Sequence, residues 1–159
     1  MSDQSTGAVE KRLAELGLTL PQTAKPLAAY VPAVVVGNLV YTSGQLPVVN
    51  GEVPEEGAVG REVSADSAKE HAQTAALNAL AAIKAEIGDL DRVTRIVKLT
   101  GYVSSAPDFY GQPGVINGAS ELIGSVFEGE VGQHARAAVG VAALPMNVPV
   151  EVDIIAEFR

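Results

Sequence analysis

The 159-residue chain has no cysteine and no tryptophan, and only two histidines. Without a thiol there is no disulfide, no thiolate nucleophile, no iron–sulfur ligation and no cysteine-rich zinc site. His71 and His134 lie too far apart in sequence to form a local ligand pair such as H-E-x-x-H, so a metal site would need mostly carboxylates. Cations are scarce as well: 11 Lys and Arg against 19 Asp and Glu leave a formal charge of −8 and a pI near 4.7. Such a surface repels phosphate backbones and anionic membranes, which argues against nucleic acid or a membrane as partner. No apolar run approaches the roughly 20 residues of a membrane span. Neither G-x-G-x-x-G nor G-x-x-x-x-G-K-[ST] occurs, and there is no G-x-S-x-G elbow, so neither nucleotide-dependent chemistry nor Ser-His-Asp hydrolysis is expected. No metal and no cofactor is expected. The opening MSDQSTGAVE has neither a basic nor an apolar signal region, and the expected compartment is the cytoplasm.

What is present is apolar substance: 47% hydrophobic residues, 19% charged and a mean hydropathy of +0.21, in a length that suits one core. Val9 to Leu16 has a short helical pattern closed by Gly17. Ala33–Val36 and Leu39–Ser43 read as strands around a Gly37-Asn38 turn, and Asn50-Gly51 marks another turn after a possible short strand near 45–49. Glu55 to Gly60 reads as a flexible acidic loop. Ser64 is a helix N-cap candidate, and Ala65 to Ile87 runs without Gly or Pro to Gly88. The alanine content of that helix implies close approach to a sheet, and His71 on its first turns is expected to face solvent. Arg92–Ser104 reads as a strand and Pro107–Phe127 as a second, less regular helix. Ala135–Leu144 and Val148–Phe158 read as two strands joined by the Pro145-Met146-Asn147 turn. The order β-β-α-β-α-β-β predicts an α+β fold: a mixed sheet with both helices on one face, parallel where helices link strands and antiparallel at hairpins on both ends. The uncovered sheet face then calls for self-association.

Arg136 is the only charge between Ala135 and Pro145. A guanidinium among alanines and valines must reach solvent, pair with a carboxylate or await an anionic ligand, and planar recognition of a carboxylate is its natural task. A salt bridge to Glu151 or Asp153, or to another subunit, is the alternative. Glu151 and Asp153 share one face of the last strand, which is either wet or polar for a reason. A carboxylate beside an apolar pocket can act as a base for water, and a solvated strand face is the plainer reading. Tyr30, Tyr41, Tyr102 and Tyr110 are the only tyrosines and read as packing residues. Ser43-Gly44-Gln45 could offer backbone groups to a ligand where glycine permits close approach, or form a bulge.

These segments together resemble the Rid family of reactive intermediate deaminases, the YjgF-type proteins often labelled endoribonuclease-like. The resemblance runs from about Ala28 to Arg159, dividing the chain into an N-terminal helix and lead-in (1–27) and one family-like domain (28–159). It is strongest in Ala135-Arg136, Val139-Gly140-Val141-Ala142, Leu144-Pro145 and Val150-Glu151-Val152, with support from Gly37 to Gln45, from Gly51-Glu52-Val53-Pro54 and from Val97 to Thr100. It implies a chorismate-mutase-like fold, a homotrimer with clefts between subunits, and hydrolysis of 2-imino acids to 2-keto acids and ammonia. By position, Arg136 would clamp a small-molecule carboxylate substrate, the Gly44 backbone would face the imino group, Glu151 would orient water and Tyr30 would lie across the cleft, with Asn117 and Ser43 adjoining. The chain departs from the pattern in having His134 where proline is common, Ala138 for cysteine, Ser120 for an aromatic and a longer loop from Phe127 to Arg136. A trimeric binder of 2-keto acids without turnover is the alternative function, and an endoribonuclease ranks third.

Overall fold

A computed structural model describes residues 6–23 and 29–159. The elements are α1 (Ala8–Glu15), β1 (Ala33–Val36), β2 (Leu39–Thr42), α2 (Ala65–Ile87), β3 (Val93–Ser104), α3 (Gln112–Val126), β4 (Ala135–Val141) and β5 (Val150–Phe158), with short 3-10 turns at Leu90–Arg92, Gly129–Gly132 and Pro145–Asn147. Helix α2 starts where Ser64 Oγ accepts the Ser67 amide at 3.1 Å and stops at Gly88, whose φ of +90° ends the helical path. Its small residues Ala68, Ala72, Ala75, Ala76, Ala79 and Ala82 are fully buried, which lets the helix backbone lie close to its neighbours. At Gly118 a Cβ would collide with the Lys69 carbonyl, so α2 and α3 meet nearly backbone to backbone. Helix α3 begins at Gln112 rather than at Pro107. The chain first closes a turn from Ala106 to Phe109 (3.0 Å), and proline is tolerated in the first turn that follows.

The five strands form one mixed sheet in the order β1-β2-β5-β3-β4, in which β3 and β4 are parallel and every other pair is antiparallel. The α+β class and the mixed sheet with its helices on one face agree with the sequence. The expected C-terminal hairpin does not form: β3 lies between β4 and β5. The roughly eight residues 142–149 can reach up to ~27 Å when extended, more than the ~10 Å between next-nearest strands, so a short loop does not force neighbours. Met146 and Asn147, both at φ 56°, turn this loop past the end of β3.

Residues 45–49 are no continuous strand; they hold only isolated bridges, Gln45 to Val152 and Val49 to Glu52. The reason is Asn78, buried on α2, whose Nδ2 donates to the Leu46 (2.8 Å) and Val48 (3.0 Å) carbonyls and draws the segment toward the helix. Asn50 and Gly51, at φ 51° and 81°, form the anticipated turn. The acidic 55–60 segment is tied down rather than free: Val59 is buried and its backbone bonds to Ser104 (2.7 Å) and Ala106 (2.9 Å). His71 does not face solvent; its side chain is 14% exposed and its Nε2 lies 2.9 Å from Glu55 Oε1.

Along β5 the residues Val150, Val152, Ile154 and Ala156 are buried under the helices. Glu151, Asp153, Ile155 and Glu157 alternate onto the opposite, open face. Tyr41 and Tyr102 join them there by register with Ile155 and Glu151.

Candidate active site

The open face carries the carboxylates. Ser43 leaves β2 with its amide on the Pro32 carbonyl (2.8 Å) and its hydroxyl on the Val31 carbonyl (2.6 Å), which anchors the segment bearing the half-exposed Tyr30. Gln45 then pairs with Val152 in both directions, at 2.8 and 3.0 Å. Between these two fixed points lies Gly44, and a Cβ there would run into the Glu151 carboxylate. Only glycine leaves room for that carboxylate over the backbone. Among the described residues the Gly44 amide and carbonyl take no hydrogen bond, so both are available to a ligand beside Glu151. Burial first, and the nearby Asp153 charge second, push the Glu151 carboxyl above the usual range. Asp153 is also pushed up by burial, against the opposing pull of a 3.0 Å hydrogen bond from the Tyr102 hydroxyl and of the Lys98 charge. A carboxylate of raised basicity beside unpaired backbone groups can take a proton from water.

Arg136 sits elsewhere. Parallel pairing with β3 sets it level with Leu99, on the helix side of the sheet, where the guanidinium lies along α3. Its Nη1 donates to Asn117 Oδ1 at 2.7 Å and to Ser120 Oγ at 3.3 Å, and its Nη2 to the Pro113 carbonyl at 3.4 Å. All three acceptors are neutral. Among the described residues no carboxylate forms an ion pair with Arg136, so the bridge to Glu151 or Asp153 within the chain is not made. The reason is register: Arg136 is aligned through Leu99 with Ile154, and Glu151 is three positions further along and on the other face. Two strand spacings and three residue steps separate their Cα atoms by on the order of 14 Å.

The six residues read from the sequence therefore fall into two groups in one chain. Ser43, Gly44 and Glu151 meet at the open face, with Tyr30 on the segment that Ser43 anchors; Arg136 and Asn117 gather beside α3. Two further residues belong to the second group: His134 Nε2 lies 2.9 Å from Ser120 Oγ, and its Nδ1 lies 2.7 Å from the Gly132 carbonyl. The sequence marked both only as departures from a pattern, with no signal that they touch. Among the described residues no cluster of three or more His, Asp or Glu could hold a metal ion, and no helix is long and apolar enough to cross a membrane.

Comparison with known proteins places these features in context. Residues 10–158 match a family model described as "YjgF/chorismate mutase-like, putative endoribonuclease". Protein TCP17 of Trypanosoma cruzi is 44% identical over 159 residues, covering 100% of this chain and 99% of that protein. The 2-iminobutanoate/2-iminopropanoate deaminase of Escherichia coli K12 is 33% identical over 140 residues, covering 84% of this chain and 90% of the enzyme. Among solved structures, Atu1372 of Agrobacterium tumefaciens, a protein of unknown function, superimposes with a TM-score of 0.89 at 50% identity, over 96% of this chain and 93% of that one. The E. coli YjgF gene product superimposes with a TM-score of 0.61 at 30% identity, over 87% and 94%.

Proposed function

Because the chain belongs to the YjgF/chorismate-mutase-like family, with relatives at about 30% identity that are imine deaminases, we propose that it hydrolyses small 2-imino acids to 2-keto acids and ammonia. The observation that carries this reading is the charge of Arg136, held in place by three neutral acceptors and offset by no carboxylate among the described residues. Every 2-imino acid supplies the missing carboxylate, and a planar fork suits it. Glu151 takes a proton from water as the water oxygen adds to the imine carbon and hands it to the nitrogen; the new hydroxyl then gives its own proton, by the same carboxylate, to that nitrogen. Collapse of the resulting tetrahedral carbon expels ammonia and leaves the 2-keto acid. The substrate is already reactive, so positioning supplies most of the rate.

Arg136 of one copy and Glu151 of the next would share a substrate in a homotrimer, which the distance between them within one chain supports. Exposed Val34, Tyr41 and Val139 give the uncovered strands an apolar surface for such packing. A coupled assay in which a threonine dehydratase generates 2-iminobutanoate tests the reading: faster loss of imine than in buffer supports it, and none at high protein concentration overturns it. The same separation favours a second reading, a carboxylate binder without turnover. Saturable binding of 2-oxobutanoate together with a null assay would establish that instead.

A further inference from the structure

The guanidinium of Arg136 has five N–H donors in a fixed plane, and their distribution is informative. Nη1 donates to both Asn117 and Ser120, and Nη2 donates to the Pro113 carbonyl. Nε–H and the second Nη2–H remain, and among the described residues nothing accepts them. Where Pro113 takes the outer Nη2 hydrogen, those two lie parallel on one edge of the plane, the spacing that a single carboxylate accepts side-on.

Ser120 holds the Nη1 end only if its own hydroxyl points away from Arg136, and His134 ensures this. The Gly132 carbonyl can only accept, so the Nδ1 of His134 carries a proton toward it. In the neutral ring Nε2 is then a bare acceptor, the Ser120 hydroxyl donates to it, and the Ser120 lone pairs turn to Arg136. The loop bearing His134 is fixed in turn. Arg95 Nε donates to the Gln133 carbonyl at 2.8 Å, and Gly132 lies so close to Phe127 that a Cβ would come within 2.5 Å of its carbonyl. We propose that His134 is a positioning residue: acting through Ser120, it fixes the guanidinium plane of Arg136 so that the Nε edge stays free for a carboxylate. This rests on Arg136 as the carboxylate-binding group and extends it to residues that touch no substrate.

The test uses the full chain and two readouts. Titration with 2-oxobutanoate should show affinity falling about fivefold in Ser120→Ala and in His134→Leu, the cost of re-ordering on binding a guanidinium no longer held at Nη1. Because both variants break one path, the double variant should lose no more than either alone, whereas Asn117→Ala should add its own loss. His134→Gln, which keeps an acceptor for the hydroxyl, should recover most of the affinity. In the ligand-free protein, nitrogen NMR of Arg136 should show faster rotation of its Nη groups in Ser120→Ala and His134→Leu than in the parent. Rotation unchanged in both variants, or fully additive losses, would overturn the positioning role whether or not the protein turns imines over. Altered rotation in a protein without deaminase activity would overturn the proposed reaction and leave this role standing.

Discussion

Substituting lysine for Arg136 keeps the positive charge and removes the fork, which makes it the sharpest probe of the site. The guanidinium reaches Asn117, Ser120 and the Pro113 carbonyl at 2.7, 3.3 and 3.4 Å while keeping a free edge. One ammonium on a flexible stem cannot satisfy those acceptors and also present two parallel donors to a ligand. Loss of one hydrogen bond to a charged partner costs about 1.5–3 kcal/mol, equivalent to a fall in kcat/KM of roughly 10- to 150-fold. Stability should change far less, because Arg136 is only partly buried on an edge strand and the groups it leaves can turn to water. A change within about 1 kcal/mol corresponds to a Tm shift of roughly 2–4 °C for a chain of this size. Melting temperature, assembly mass and imine turnover measured on one sample separate the two roles. Unchanged turnover in an intact assembly would refute the clamp, and activity falling only in step with lost assembly would make Arg136 a structural residue.

Gly44→Ala places a methyl group against the flexible end of Glu151, so the protein should fold normally while imine turnover drops on the order of 100-fold from a displaced base, as steady-state kinetics would show. The negative charge of Asp153 helps to raise Glu151, and the base works only when ionised. The acid limb of the pH–rate profile should therefore lie above the ordinary carboxylate range and move to lower pH in Asp153→Asn. The raised pKa of Asp153 itself means that its ionised form costs stability: the favourable contribution is complete below the unfolded carboxylate pKa and is lost as pH rises through the folded value. Melting curves should accordingly show Asp153→Asn gaining stability near neutrality, with the gain vanishing toward pH 4. Asn78→Ala strips the donor from two carbonyls; a loss of about 1–3 kcal/mol, or roughly 3–10 °C in Tm by calorimetry, is expected.

Local punctuation made most elements legible in the sequence. Ser64 and Gly88 bracket α2, the Gly37-Asn38 turn separates β1 from β2, and the bounds of α2 and β1 fall where they were read. Neighbour relations in the sheet were not legible, because a turn of three residues, two of them in the left-handed region, can lie within a loop that steps over a strand as easily as in a hairpin. That misreading also hid the true surroundings of Arg136. With β4 beside β5 the arginine would meet Glu151 or Asp153; with β3 interposed and parallel, the register turns it toward α3. Residue type singled out Arg136, Gly44 and Glu151, since a lone cation in an alanine-rich strand and a glycine at a strand exit are visible one residue at a time, whereas Asn117 entered only through the family resemblance. The contact of His134 with Ser120 depends on the Gly129–Gly132 turn folding back along α3, and nothing periodic announces it.

The insertion of β5 between β2 and β3 also has a kinetic meaning. The central strand is the one that follows all the others in the chain, so the β1-β2 hairpin and the β3-α3-β4 unit must wait, side by side and unjoined, with two unsatisfied strand edges facing the gap. Closing that gap requires contacts between residues far apart in sequence, Leu39 with Glu157 and Tyr41 with Ile155, which slows folding and leaves adhesive edges open meanwhile. During synthesis the sheet cannot zip until the last strand emerges. Glu151 rides on that strand, so the half-site it forms with Gly44 comes into being in the same event that completes the core. A population trapped before that step would keep Arg136 against α3 and lack the Glu151 carboxylate over Gly44, so the two halves of the proposed site would not exist together until folding is complete.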